Sequence, residues 1–374
     1  MKYCLVLTTI NIPELLRDYA KNFIKFGRQK EVEILVIGDL KTPHEKVHSL
    51  ISEINNLGIL AEYFNIEKQE KWLVKFPKLK EIIPYNSDNR RNVGYLMALE
   101  KKCEVLISID DDNFPLDGED FIGAHSIIGQ TLELPVVKTN SKWFNICDLM
   151  EKNPEQKIYA RGYPYNKRWQ DSQIWEEKKE VNIMMNVGLW LNDPDVDSIT
   201  RISRDIKTIK FIDKKIALDI GIWSPINSQN TALHIDFLPA YYFVLMGEKL
   251  DNLIIDRYGD IWSGFFVKKV MDSLGYYVSV GNPVVNHVRN KHNLFKDLKQ
   301  ELGCAIQTDL MVDFLESVDL EGKNASDVYA DLADKLLDYT TKDAKFSDDF
   351  RKYVQKLNNC QKIWLETIQK IKTS

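Results

Sequence analysis

The chain has 374 residues, a formal net charge of −5, and a composition 44% hydrophobic and 28% charged. That balance is ordinary for a globular protein and argues against a general affinity for nucleic acid or anionic membranes. The five cysteines (Cys4, Cys103, Cys147, Cys304 and Cys360) lack Cys-x-x-Cys spacing, so free thiols are expected and not a zinc site or a disulfide frame. The opening run from Met1 to Leu7 is too short for a signal peptide, and no stretch approaches the roughly 18 apolar residues of a membrane span. A cytoplasmic protein with no membrane span is expected.

Residues 2–8 read as a first strand, and Pro13 is well placed for the first turn of a helix. Residues 32–37 give a second strand ending at Gly38-Asp39. Thr42-Pro43-His44-Glu45 then reads as a capping box with proline at the first helical position. A short strand near Leu60–Phe64 follows Gly58, and residues 90–102 look helical. The apolar run Val105 to Ile109 is a buried strand that ends in Asp110-Asp111-Asp112. This alternation predicts an α/β fold with a mostly parallel central sheet flanked by helices. No G-x-G-x-x-G and no G-x-x-x-x-G-K-[ST] occurs, so neither a NAD or flavin site of that type nor a P-loop is expected.

Residues 150–180 are charged and aromatic and read as a long loop or small excursion; residues 182–200 read as turn-rich. A helix is expected over roughly 260–274 and a strand over 278–287, ending at His287. Beyond residue 293 the pattern is helical: Phe314 and Val318, Leu332 and Leu336, and Trp364 and Ile368 sit at i, i+4. The expected organisation is a catalytic domain over 1–293 and a helical C-terminal region over 294–374 for packing or oligomerisation.

Three adjacent carboxylates repel one another, and a divalent cation that also holds a diphosphate relieves the repulsion at a strand end. A solvated acidic turn is the plainer alternative. Arg90 and Arg91 open a helix, where the dipole disfavours cations; a bound phosphate would resolve the conflict, with Arg91 the better candidate, and surface pairing with Asp88 is the alternative. Asp39 follows a strand and Gly38, where a carboxylate can meet a base or ribose, or simply close a turn. His287 can add a nitrogen ligand to the same metal, or be structural. Tyr159 to Tyr165 gathers aromatic rings around Arg161, which suits a sugar or nucleotide pocket as well as an ordinary salt bridge. Asp260 stands just before a helix, as a site acid or merely its N-cap.

Taken in order, Arg91 with Gly94-Tyr95-Leu96, Ser108-Ile109-Asp110-Asp111-Asp112, Arg161-Gly162-Tyr163-Pro164, Gly188-Leu189-Trp190-Leu191-Asn192, Asn230 with Ala232, Leu245-Met246-Gly247, Arg257-Tyr258 with Asp260 and Trp262, and His287 resemble the reversibly glycosylated polypeptides. This is the UDP-arabinopyranose mutase family of plants, and the resemblance covers roughly residues 85–300. It implies a GT-A fold, a Rossmann-like sheet whose acidic motif binds Mn²⁺ or Mg²⁺ and a diphosphate, and a flavin-independent interconversion of the pyranose and furanose forms of a UDP-sugar. The resemblance implies that Asp110 and Asp112 hold the metal, with Asp111 beside them and His287 as a further ligand; Thr8, Asp39, Arg91 and Asp111 are the candidates for holding the nucleotide and its diphosphate. Trp190, Asp195 and Asn230 are the candidates for meeting the sugar, and the resemblance implies that Arg161 matches the arginine that is reversibly glycosylated. A guanidinium is a poor nucleophile, so a carboxylate must take its proton; Asp260, Asp195 and Asp197 are the candidates. A nucleotide-sugar substrate and a homo- or hetero-oligomer are expected. The alternative function is a conventional glycosyltransferase that moves the sugar to a separate glycan or lipid-linked acceptor.

Overall fold

The computed structural model describes residues 1–212 and 215–373. Strands Tyr3–Thr9, Val32–Gly38, Leu60–Phe64 and Val105–Ile109 lie parallel, in the spatial order third, second, first, fourth. Three of the four are buried along essentially their whole length, so they read as apolar runs and not as alternation. The helix Arg91–Glu100 crosses the first two strands at close range. A Cβ at Gly94 would come within 2.6 Å of Val6 and 2.8 Å of Ile37, so only glycine lets this helix settle and bring Arg91 over the strand ends.

Beyond the acidic strand Val105–Ile109 the sheet is mixed, which corrects the expectation of a mostly parallel one. Asn230–His234 runs antiparallel to it, and Ile174–Asn192 antiparallel to that in turn. Ile174–Asn192 pairs with Thr131–Thr139 in the antiparallel sense and with Tyr277–His287 in the parallel sense. Parallel neighbours need long crossovers, usually helical, and between residues 131 and 234 the described residues include one short α-helix, Ser198–Ser203. The loop expected over 150–180 and the turns expected over 182–200 are also corrected, because Ile174–Asn192 is one strand of 19 residues. Its first seven residues are exposed and its later ones largely buried, so neither part alternates. Gly188, which suggested a turn, sits mid-strand where a Cβ would lie 2.2 Å from the Asn230 amide and 2.5 Å from the Pro283 carbonyl.

The capping box at residue 42 does not form. The Thr42 hydroxyl accepts from the Asp39 N–H at 2.8 Å and donates to the Thr9 carbonyl at 2.7 Å, tying two strand-end loops together. The helix His44–Asn56 therefore starts without a side-chain cap.

A buried polar knot fastens the mixed half of the sheet. The His125 ring is fully buried; its Nδ1 accepts from Asn186 at 3.0 Å and its Nε2 donates to Asn230 at 3.2 Å, which fixes a neutral tautomer. Burial pushes its pKa down to about 3. Between that value and its ordinary 6.5 the unfolded chain binds a proton that the folded chain refuses, so stability falls as pH drops through this window. Moving from pH 7 to pH 5 is expected to cost about 2 kcal/mol at this one residue. His125→Gln should flatten that slope in denaturant titrations at the two pH values; an unchanged slope would refute the assignment.

The C-terminal helices are Leu294–Ser317, Ala325–Lys342 and Asp348–Thr373. They share one apolar core with the sheet domain. The Trp364 indole donates to the Pro239 carbonyl at 3.0 Å and the Tyr353 hydroxyl to the Leu245 carbonyl at 2.9 Å. Among the described residues no helix is long and apolar enough to cross a membrane.

Candidate active site

The acidic strand end carries three carboxylates with three different partners. Asp110 accepts from Arg91 Nη2 at 2.6 Å; the same nitrogen reaches the Thr8 hydroxyl at 3.1 Å. Arg91 Nη1 donates to Ser108 Oγ at 2.9 Å and to Ser228 Oγ at 2.8 Å. Arg91 is 4% exposed and faces Asp110, and its Nε has no partner among the described residues. Burial pushes the Asp110 carboxyl up to about 6 against the pull of Arg91, with Asp112 and Asp260 adding to the rise. Asp111 accepts from Thr9 at 2.5 Å and Asn11 at 3.2 Å, and burial raises its carboxyl. Asp112 Oδ2 lies 3.5 Å from His287 Nε2. Burial opposes charge on both, but their pairing holds the Asp112 carboxyl below its ordinary range and raises His287.

Arg161 forms a second centre. Its Nε and Nη2 donate to Asp195 at 2.9 and 3.1 Å, and its Nη1 and Nη2 donate to Asp260 at 3.2 and 2.8 Å. Nη1 also donates to the Arg257 carbonyl. All five guanidinium hydrogens are thus committed. Arg257 has φ 62°, a strained left-handed conformation for a residue of this kind, at the point where its carbonyl meets Arg161. The Tyr258 ring lies 5.8 Å from the guanidinium carbon. Burial works against the charge of Arg161, yet the two carboxylates outweigh it and raise its pKa well above the ordinary arginine value. Asp260 sits in the first turn of the helix Gly259–Ser273, and its side chain holds Arg161 instead of capping the helix.

The two centres adjoin. His287 Nδ1 meets the Asp193 carbonyl at 2.6 Å, two residues before Asp195. Asn227 donates to Asp195 at 2.8 Å; Gln229 donates its N–H to Asn227 at 3.2 Å, and its carbonyl accepts from the Asp110 N–H at 3.3 Å. The charge of Asp260 reaches Asp110 directly. Asn227, Ser228 and Gln229 were not singled out from the sequence, and Arg257-Tyr258 stood out only as part of the resemblance, with no site role of their own. Their nearness to Asn230 and Asp260 in the chain was the available signal.

The remaining candidates have other surroundings. Asp39 accepts from the N–H groups of Leu40 at 2.7 Å and Ser87 at 3.2 Å. Asn230 spends its amide on His125 and on the Pro283 and Leu189 carbonyls. Trp190 is 2% exposed, its Nε1 without a partner among the described residues. Asp197 pairs with Arg168 at 2.6 Å and not with Arg161. Neither Arg90 nor Arg91 pairs with Asp88: Arg90 donates to Gln69 at 2.9 Å and Arg91 to Asp110 at 2.6 Å.

Carboxylate oxygens with one imidazole suit Mn²⁺ or Mg²⁺ in their chemistry. The Asp193 carbonyl orients His287 so that Nε2 faces Asp112. Among the described residues, no three His, Cys, Asp or Glu side chains already converge as a metal site. The fit therefore rests on the Asp112–His287 pair, with Asp110 beside it.

The family model for the reversibly glycosylated polypeptides matches residues 58–370. The chain belongs to the reversibly glycosylated polypeptide family. The resemblance read over 85–300 is borne out, and the match extends through the C-terminal helices. This family member is 27% identical over 297 residues to a probable UDP-arabinopyranose mutase 4 of Arabidopsis thaliana, covering 77% of this chain and 73% of that one. It is 28% identical over 241 residues to UDP-arabinopyranose mutase 1 of the same plant (64% and 62% covered). To a probable UDP-arabinopyranose mutase 1 of Pisum sativum it is 29% identical over 240 residues (64% and 60% covered). Among solved structures, S. aureus TarS 1-349 in complex with UDP-GlcNAc superposes with a TM-score of 0.41 at 12% identity, over 100% of this chain and 91% of that one. A likeness that loose says nothing further about the family member.

Proposed function

We propose that this family member is a metal-dependent UDP-sugar mutase that interconverts pyranose and furanose forms through reversible glycosylation of Arg161. The observation that carries the reading is the clamping of Arg161 between two buried carboxylates beside the acidic strand end. The names of its relatives support it independently. In this reading residues 1–293 form the catalytic part of GT-A type and residues 294–374 pack against it.

Asp110, Asp112 and His287 would hold a divalent cation, which when bound would supply positive charge for the diphosphate. Arg161 Nη forms a bond to the anomeric carbon as the bond from that carbon to the diphosphate oxygen breaks, and its electron pair leaves with UDP. The Nη proton passes to Asp260, whose oxygens already accept from both terminal nitrogens. Asp195 holds Nε and keeps the guanidinium plane in place. Electron density from Nη then releases the ring oxygen from the anomeric carbon, and that oxygen takes up a proton. The C4 hydroxyl adds to the same carbon and gives up a proton, closing the five-membered ring. UDP recaptures the sugar, the C–N bond breaks, and Asp260 returns the proton to Arg161. No electron is gained or lost overall.

Intact mass after incubation with UDP-arabinopyranose and Mn²⁺ should rise by one pentosyl unit that maps to Arg161. The gain should vanish in Arg161→Ala and fall sharply when EDTA replaces Mn²⁺. A protein that takes up no sugar, or one labelled equally in Arg161→Ala, would falsify the proposal. Release of UDP with a glycoside on a separate acceptor would point to the glycosyltransferase alternative.

A further inference from the structure

Nearly every carboxylate around the two centres is already engaged. Asp110 holds Arg91, Asp111 holds Thr9, Asp112 faces His287, and Asp195 and Asp260 hold Arg161. Asp256 accepts from the Arg257 N–H and from Gln300, and Asp39 accepts from two main-chain N–H groups. Asp88 is different. Among the described residues its side chain has no hydrogen-bonded or ion-paired partner; it keeps an exposed surface, yet enough protein surrounds it that desolvation raises its carboxyl.

Its backbone, by contrast, is fixed on both sides. Ser87 donates its N–H to Asp39 at 3.2 Å and caps the Asn89 N–H at 3.3 Å; the Asn89 amide is anchored on the Phe243 carbonyl at 2.7 Å. Three residues along, Arg91 grips Asp110. The charges that act on Asp88 are, in order of strength, those of Arg91, Asp260, Arg257 and Asp256. The backbone anchors and these charges together set Asp88 within electrostatic reach of both the Arg91–Asp110 pair and the Arg161 clamp, and so of the gap between them. In the mutase reading, on which this inference rests, that gap is where the sugar lies.

We propose that Asp88 is a sugar-binding, specificity-determining residue that accepts hydrogen bonds from hydroxyl groups of the nucleotide-bound sugar. A carboxylate is acceptor-only at neutral pH, and a rigidly presented one with no protein donor suits a ligand that brings adjacent O–H groups. Its anionic neighbours Asp260 and Asp256 make a second anion, such as a further phosphate, the wrong occupant. The nucleoside diphosphate itself is held elsewhere, so Asp88 should matter for the sugar and not for UDP.

The test compares wild type, Asp88→Asn and Asp88→Glu, each with Mn²⁺, by calorimetric binding of UDP and of UDP-arabinopyranose and by the kinetics of Arg161 labelling. Losing one charge-assisted bond should weaken UDP-arabinopyranose binding and raise the KM for labelling about tenfold in Asp88→Asn. UDP affinity should stay within about twofold of wild type, and Asp88→Glu should recover part of the loss. An unchanged affinity for the sugar nucleotide, or an equal loss for UDP, overturns the assignment; the second outcome would mark Asp88 as part of the metal or nucleotide site. A wild-type chain that binds UDP-arabinopyranose but never labels Arg161 refutes the mutase reading alone, and the binding comparison still decides Asp88.

Discussion

Asp260→Asn is expected to slow sugar transfer onto Arg161 by a factor of about 10²–10⁴, the usual contribution of a positioned proton acceptor. The substitution keeps the size of the side chain in the first helical turn but removes the one carboxylate among the described residues that accepts from both terminal nitrogens. Arg161 retains its full charge in this environment, so bond formation needs somewhere for the proton to go. Asp195→Asn should act differently. Asp195 grips Nε, receives the Asn227 amide, and takes the Arg161 N–H on its own carbonyl at 2.8 Å. Its loss should cost fold stability along with labelling. Single-turnover labelling by intact mass, alongside denaturant melts, separates the two. Wild-type labelling by Asp260→Asn would remove Asp260 from the role of proton acceptor.

Arg91→Met is expected to destabilise the fold by about 3–5 kcal/mol, the cost of stranding a buried charge network without its cation. The guanidinium is the hub for Asp110, Thr8, Ser108 and Ser228, and it approaches all four from the helix that Gly94 lets sit on the sheet. Without it, Asp110 faces Asp112 and Asp260 with no compensating charge. Thermal and urea unfolding measure the effect. Arg91→Lys should recover only part of it, because an ammonium cannot span the same fork of acceptors. A loss under about 1 kcal/mol would mean that the pairing is ordinary surface electrostatics.

The first half of the fold is legible from apolar runs because parallel strands buried on both faces leave that plain mark. The triple aspartate, Arg91, Arg161 and His287 stand out because charged groups at the ends of such runs, or among aromatic rings, need an explanation. The 19-residue strand is hidden because one part is wet on both faces and the other dry on both, so period-two alternation never develops. Asn227 and Gln229 are hidden because their work is to join two centres that only tertiary folding brings together. Asp88 invited pairing with its neighbours Arg90 and Arg91, but both guanidiniums find deeper acceptors.

Five acceptors around five guanidinium hydrogens leave nothing to spare at Arg161. A sugar on one terminal nitrogen removes one hydrogen from that count, so one acceptor must go unmatched or one acid must stay protonated. Either way the sugar-bearing state sits uphill of the resting one by about the cost of a single buried hydrogen bond, about 1–3 kcal/mol. In the proposed mutase the clamp that positions the guanidinium would thereby work as a spring against permanent modification, returning the cargo to its nucleotide.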